Sequence, residues 1–331
     1  MTGNSDRNKL VEQAMEDSHE SHRARRDLDR TKKHNSRLQQ ICDQQAEQIE
    51  SLQRAKFTFS KQRPSKPGKT FIRFIVPDTH GSLIDQAAAA AMFADLERMG
   101  GSVREVILQG DHLECGGFLA QHHVLGYVAQ SEYTFAEDVI AANVFLDKIQ
   151  QLAPRATVHY LEGNHENRIE RWIVDQVVGN ASDAEFLHQM FSTSKVLGLE
   201  KRGINFYSSG QKYGLRIPGA IKLGKCHFLH GSNHGKDVAR KMAGMFGGNV
   251  VFAHVHTQQS VTIRTVSHGE VGAWCPGCVC QLQPLYRHSS ITDWCHGYAF
   301  QIVDSKSGEF LHVNVPIVDG LSLLQGFAGV L

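Results

Sequence analysis

At 331 residues the chain exceeds one average domain, and a single large α/β core with an appended segment fits that length. Its 35 Lys and Arg against 34 Asp and Glu give a formal charge of +1, which excludes a global electrostatic pull towards nucleic acid or an anionic membrane, so any polyanion binding is local. The opening MTGNSDRNKL runs into more charge rather than an apolar stretch, and no run reaches membrane-spanning length, so a soluble, cytoplasmic protein that does not engage membranes is expected.

Residues 1–60 are dominated by Arg, Lys, Glu, Asp, Gln and His and read as a solvated helix or helix pair, with a partly ordered charged tail as the alternative. Leu38, Cys42, Gln45, Ile49 and Leu52 share one helical face, a thin stripe that offers self-association of the chain into a homo-oligomer. The stretch 61–69, KQRPSKPGK, is a basic Pro/Gly linker to a core spanning 70–331. From there β-branched runs alternate with helical segments, the pattern of a layered α/β fold. Strands are predicted at 71–76, 103–108 and 158–161, with helices at 83–99, 135–152, 169–178 and 184–194. Short strands follow at 204–207, 213–217, 220–223, 226–229 and 249–253, the last preceded by a helix at 237–246. The tail strands 260–266, 298–303 and 310–315 look antiparallel, with Ser305-Lys306-Ser307-Gly308 as a hairpin turn.

Five of the apolar runs end in metal-ligand residue types: FIRFIVP in Asp78-Thr79-His80-Gly81, VREVILQ in Gly110-Asp111, VHYLE in Gly163-Asn164-His165-Glu166, CHFL in His230-Gly231, and NVVFA in His254-Val255-His256. In a layered α/β sheet, loops at one end of the strands converge on a crevice, so these side chains can meet. Carboxylate, imidazole and amide oxygen together suit manganese, iron or zinc rather than a thiolate-caged structural ion. Two such ions about 3.5–4 Å apart can clamp the attacking and departing oxygens of a phosphate and acidify water between them.

The ordered blocks Asp-x-His, Gly-Asp, Gly-Asn-His-Glu, His-Gly and His-x-His, from Asp78 to His256, resemble the calcineurin-like metallophosphoesterases. The resemblance implies a four-layer α/β/β/α sandwich and a site for two divalent ions, manganese foremost, with iron, zinc or nickel as alternatives. It implies that Asp78, His80, Asp111 and His256 hold the first metal and that Asp111, Asn164, His230 and His254 hold the second, with Asp111 as the bridge. His165 would then protonate the leaving oxygen or stabilise its developing charge, which with Asp111 makes the catalytic pair. Ala253 stands where the family usually has glycine. In the protein Ser/Thr phosphatases the second block continues Gly-Asp-x-x-Asp-Arg-Gly, whereas here it is Gly110-Asp111-His112-Leu113-Glu114-Cys115-Gly116, without the phosphate-gripping arginine. The chain is more similar to stand-alone bacterial and bacteriophage members, which would place it in a host cytoplasm, and it shares blocks with Mre11-type nucleases. A phosphodiester, nucleic acid (DNA or RNA) or a nucleotide among the candidates, is the expected substrate. A phosphomonoesterase or Ser/Thr protein phosphatase is the alternative enzyme, and a non-catalytic metal-stabilised scaffold recruiting partners through the arm is the rival of another class.

Outside those blocks, Arg168 offers a planar fork for phosphate, or a partner for a nearby carboxylate. His234 and Lys236 lie past His230 on a loop that either shapes a substrate pocket or is simply solvated. His112, His122 and His123 are expected at the surface or behind the ligands. Four of the seven cysteines crowd into the C-terminal quarter, favouring reduced thiols or metal over disulfides. Cys275, Cys278, Cys280 and Cys295 would enclose a structural zinc if their thiolates meet, packed free thiols being the alternative. Trp274, Trp294 and Tyr286 are expected as core or pocket wall.

Overall fold

A computed structural model describes residues 3–54, 69–119, 134–177, 181–287 and 290–326. The chain divides into two compact units, 1–65 and 66–331. The first is one helix, α1 (Gly3–Arg54), on which Leu38 is 47% exposed and Cys42 is exposed; the side chains of Ile49 and Leu52 lie outside the described residues. Of the expected linker, only Lys69 falls within them. No helix among the described residues is long and apolar enough to cross a membrane.

The second unit follows the order β1 (Thr70–Val76), α2 (Gln86–Met99), β2 (Val103–Leu108), α3 (Phe135–Leu152), β3 (Thr157–Leu161), α4 (Asn167–Gln176), α5 (Ala181–Phe191), α6 (Thr193–Val196) and β4 (Asn205–Tyr207). It continues with β5 (Ile221–Leu223), β6 (Cys226–Phe228), α7 (Val238–Phe246), β7 (Asn249–Val251), β8 (Gln258–Thr265), β9 (Gly269–Pro276), β10 (Gly297–Asp304), β11 (Phe310–Val318), β12 (Leu321–Ser322) and α8 (Leu323–Gly326). The result is a mixed α/β unit with two mixed sheets. One has seven strands in the order β12-β11-β10-β1-β2-β3-β4, and the other five in the order β5-β6-β7-β9-β8. β1 to β4 run parallel, as do β6, β7 and β9; β10 joins β1 antiparallel.

Strand alternation shows how the apolar surface is divided, since successive side chains point to opposite faces. Phe74, Val76, Val106 and Leu108 enter a cluster with Met92 and Leu96 of α2 and Phe145, Leu146 and Ile149 of α3. Their neighbours Ile75 and Ile107 enter a different cluster, with Phe228 and Val251 of the five-stranded sheet. A third cluster joins Phe252, Val271 and Ala273 to Val238 and Met242 of α7. Each fully buried Leu, Ile or Phe of this kind stabilises the fold by about 1.5–3 kcal/mol. Arg73 is the buried exception in β1. Its guanidinium is met by Glu105 at 2.5 Å and Gln301 at 2.9 Å and lies 5.2 Å from the Phe228 ring centre, so its charge is paired rather than stranded.

Local chemistry sets the helix starts. The Asp85 side chain accepts the Ala88 N–H at 2.9 Å, so α2 begins at Gln86 and not at Leu83, which belongs to a preceding 3-10 turn. Thr134 and Glu137 form a reciprocal capping box at the start of α3. Three strand assignments differ from expectation, the two-residue β12 being one that was not anticipated. Residues 213–217 form bends rather than a strand, because Gly214 sits at φ +72° and Pro218 has no N–H to continue a ladder. Conversely, β9 was not anticipated; its Gly272 accommodates the Trp274 ring, which would lie 2.2 Å from a Cβ there.

Candidate metal centre

Parallel pairing brings the strand ends that carry the polar blocks to one edge. Asp78 follows β1, Asp111 follows β2 and Asn164 follows β3 in the seven-stranded sheet, while His230 follows β6 and His254 and His256 follow β7 in the other. The loops then bond to one another. The Asp111 carbonyl accepts the N–H groups of Thr79 and His80 at 3.1 and 2.8 Å, the Asp78 carboxylate accepts the His254 N–H at 3.2 Å, and the His230 carbonyl accepts the Ala253 N–H at 2.9 Å. His80, Asp111, His254 and His256 all have positive φ, between 50° and 75°, a conformation that costs a non-glycine residue energy and recurs at functional sites. Ala253 is not among these residues, so its methyl group adds no backbone strain where the resemblance expects glycine.

Two glycines make the close approach possible. A Cβ on Gly163 would lie 2.0 Å from Asp111 Oδ1 and 2.3 Å from its backbone N, and one on Gly110 would lie 2.7 Å from the Gly163 N.

The seven residues expected as ligands face one another. His80 Nε2 is 3.2 Å from His256 Nε2, which is 3.3 Å from Asp78 Oδ1. His230 Nε2 is 3.2 Å from Asp111 Oδ2, 3.0 Å from Asn164 Oδ1 and 3.3 Å from His254 Nδ1. Tautomers follow from what lies behind the rings. His80 Nδ1 donates to the Glu114 carboxylate at 2.6 Å and His230 Nδ1 donates to the Gln109 carbonyl at 2.8 Å. In the neutral rings both Nε2 atoms are therefore lone pairs, turned towards other acceptors. Asp78 Oδ1 is buried and has no hydrogen-bond partner among the described residues. Converging lone pairs of this kind are neutralised by a cation or by protons. Three groups of His, Cys, Asp and Glu among the described residues stand close enough to share an ion, His80/Asp111/His165, Asp111/His230/His254 and His80/His256/Cys280, the ligand atoms of each lying within 4.8 Å of one another. Asp111 belongs to two of them, the position a bridging carboxylate requires. The donor set fits divalent ions.

Electrostatics agree with that need for positive charge. Burial works against ionising Asp78 and Asp111, yet facing imidazoles outweigh it, His256 and His230 for Asp78, His230 and His165 for Asp111, and hold both below the usual carboxylate range. Burial likewise disfavours charged His230, but Asp111 and Asp78 push its pKa up to about 10. His254 moves the other way, down to about 4, through burial and the neighbouring His230. His80 is also lowered, by burial and His165.

His165 lies beside Asp111, whose Oδ1 accepts its backbone N–H at 2.8 Å. Its ring Nδ1 donates to the Glu114 carbonyl at 2.9 Å, with the Glu114 carboxylate at 3.2 Å. Burial would keep the ring neutral; Glu114 and Asp111 overcome this and raise its pKa to about 9, with Arg168 opposing. Arg168 is buried and does not line the cleft. Its Nη1 donates to the Glu114 carbonyl at 2.9 Å and lies 3.7 Å from the Glu114 carboxylate, and its Nη2 stands 3.0 Å from His165 Nε2, so of the two expectations the carboxylate partner is the one realised and the side chain positions His165. His234 is exposed, with Nε2 3.2 Å from His254 Nε2, and lines the cleft together with Lys236.

Two glutamates matter more than the sequence suggested. Glu114 serves His80 and His165 at once. Glu166, fully buried, accepts the N–H groups of Asp111, His112, Leu113 and Gly163 at 2.9, 2.7, 3.1 and 3.0 Å and the Tyr160 hydroxyl at 2.7 Å, so it fixes the Asp111 loop. The signal for Glu166 is its place in the Gly-Asn-His-Glu block; Glu114 has only its place three residues after Asp111. His112 is buried rather than at the surface, bonded to Thr79 Oγ1 at 2.9 Å and stacked on Phe145, while His122 and His123 lie outside the described residues.

Cys275, Cys278, Cys280 and Cys295 do not gather as a zinc enclosure among the described residues. Only Cys280 joins a group close enough to share an ion, with His80 and His256, and its Sγ is 4.0 Å from His256 Nδ1. The Cys295 sulfur is taken by the Gln258 N–H at 3.0 Å, and Cys275 packs in the apolar cluster under α7. Trp274 packs between the sheets, whereas Tyr286 and Trp294 wall the cleft beside the ligands.

Comparison of the chain with protein-family models finds no match, and comparison with curated proteins finds none.

Proposed function

We propose that the chain is a metal-dependent phosphoric ester hydrolase of the calcineurin-like type, with the site built from Asp78, His80, Asp111, Asn164, His230, His254 and His256 holding two divalent ions, manganese foremost. The observation that carries this reading is the convergence of buried carboxylate and amide oxygens with imidazole nitrogens that only a cation or protons on the rings can neutralise, above all Asp78 Oδ1, without a hydrogen-bond partner among the described residues, and His230 Nε2 facing Asp111, Asn164 and His254. The division of apolar residues among three clusters, helix to sheet, sheet to sheet and sheet to helix, supports the four-layer sandwich that goes with it.

When bound, a pair of such ions polarises a phosphoryl oxygen and acidifies water. The protein's own groups do the rest. Asp111 is fixed at its backbone by Glu166 and presents Oδ2 to His230 and Oδ1 to the His165 N–H, which orients the carboxylate between the two donor sets. His165 holds a proton for the departing oxygen. Glu114 retains the Nδ1 proton, so exchange takes place at Nε2, where the Arg168 charge favours giving the proton up. Lys236 and Arg287 around the cleft attract an anionic ester.

The test uses the full chain stripped of metal and reloaded with manganese, assayed with bis-p-nitrophenyl phosphate, p-nitrophenyl phosphate and DNA. Hydrolysis of at least one ester should require the metal. Asp111→Asn should abolish it, and His165→Ala should lower kcat by about 10²–10⁴-fold. Equal rates for the parent and both variants would overturn the assignment.

A further inference from the structure

The expected ligands stand where two clefts meet. One, of about 540 Å³, opens over His80, Asp111 and His256 and is walled by Tyr286, Arg287 and Trp294. The other, of about 260 Å³, opens at Asn164 and His230 and is lined by Asn167, Arg171 and Met245. Asn164 lines both. A phosphate monoester has one organic arm and needs one cleft, its remaining oxygens requiring only polar surroundings. A diester carries two arms that leave phosphorus in different directions, and each needs room.

The walls differ in chemistry. In the larger cleft half-buried Trp294 meets the expected ligand His256 edge to face, with ring centres 4.0 Å apart, so an apolar ring surface begins beside the reacting position. The Arg287 guanidinium lies 5.9 Å from the Trp294 ring centre, and Lys236 adds a second cation to the lining, whose carboxylate apart from the expected ligands is Asp293. Aromatic and cationic groups in that proximity suit a heteroaromatic ring bearing or adjoining negative charge. The smaller cleft is locally balanced. Its one carboxylate, Glu162, is already occupied by the Ser209 N–H and hydroxyl at 2.8 and 2.9 Å, leaving Asn167, exposed Arg171 and 53%-exposed Met245 to meet a ligand. Such a surface suits an uncharged, hydroxyl-bearing arm.

Resting on the phosphoesterase reading above, we propose that the substrate is a nucleotide-type phosphodiester, its heteroaromatic arm against Trp294 and Arg287 and its second arm in the cleft of Asn167, Arg171 and Met245. Water adds to phosphorus, one P–O bond to an arm breaks, and the departing oxygen takes a proton, giving an alcohol and a phosphate monoester. That product fills one cleft only, so it binds less well than the diester and leaves.

The experiment compares kcat/KM of the manganese-loaded full chain for the p-nitrophenyl ester of thymidine 5′-monophosphate with that for p-nitrophenyl phosphate, in the parent, Trp294→Ala and Arg171→Ala. The parent should favour the diester. Each variant should cut that preference about tenfold or more, mainly through KM, the loss expected for a stacked base or a charged hydrogen bond. Arg171 is exposed, so its variant keeps the test informative if Trp294→Ala folds poorly. A parent that favours the monoester, or folded variants that both keep the diester preference, would overturn the two-cleft assignment while leaving the phosphoesterase reading in place. Absence of turnover on both esters would sink the two-cleft assignment, and absence also on bis-p-nitrophenyl phosphate and DNA would sink the phosphoesterase reading with it.

Discussion

Replacing Glu166 by Gln separates a site held by one buried carboxylate from a site held by its surroundings in general. Both Glu166 oxygens face donors only: Oε1 takes the His112 and Leu113 N–H groups and the Tyr160 hydroxyl, and Oε2 takes the Asp111 and Gly163 N–H groups. Gln keeps the shape but turns one oxygen into an NH₂. In its better orientation the NH₂ replaces Oε2, leaving two buried N–H groups unpaired and facing another donor. Each costs about 1–3 kcal/mol, so the variant should lose about 2–6 kcal/mol, a large share of the ~5–15 kcal/mol typical of a folded domain. The Asp111 backbone, held at φ +50°, loses its anchor at the same time, so manganese affinity should fall about 10–100-fold, as for other groups that orient ligands. Urea denaturation of the metal-free protein and calorimetric manganese titration measure the two effects. A variant within about 0.5 kcal/mol of the parent, with unchanged affinity, would refute the clamp.

Gly163→Ala should abolish metal uptake and sharply lower soluble yield, because the added methyl would occupy space within 2.3 Å of the Asp111 backbone N; near-parental metal binding would contradict the close packing. Stability of the metal-free chain should fall as pH rises from about 6.5 towards 10. His165 and His230 have folded-state pKa values raised from 6.5 to about 9 and 10, so their contribution is complete below 6.5 and lost through those higher values. Buried Asp138, raised from 3.8 to about 6 by desolvation, adds to the loss at lower pH. Manganese displaces the imidazole protons, so the stabilisation it confers should grow over the same range. Melting temperatures at pH 6 and 9.5, with and without metal, check the sign, and a metal-free protein more stable at pH 9.5 would contradict it.

The strand ends were legible because each pairs a β-branched run with an adjacent Asp, Asn or His, a purely local pattern. The long helix α3 was equally plain, since Pro154 stops it just past its end. What local pattern could not supply was the partner of a side chain that reaches across the fold. Glu114 meets His80 from 34 positions away, and Arg168 meets the Glu114 carbonyl from 54, so the choice between a phosphate fork and a carboxylate partner for this arginine, left open by its sequence, falls to the partner behind His165. The cysteines show the same limit. Their short spacing left a zinc enclosure and packed free thiols both open, and only the fold decides between them: β9 ends at Pro276, placing Cys275 on the strand and Cys278 and Cys280 beyond it, with Cys280 turned to His256. Trp294 and Arg287 carry no motif; only the loop between β9 and β10 brings them to the ligands.

The most direct test counts metal. After stripping, loading with manganese and exhaustive buffer exchange, elemental analysis should find two ions per folded chain, and Asp111→Asn, which lacks the shared carboxylate, should retain fewer than one. A parent that retains none, or an Asp111→Asn protein that still holds two, would contradict the account at its root.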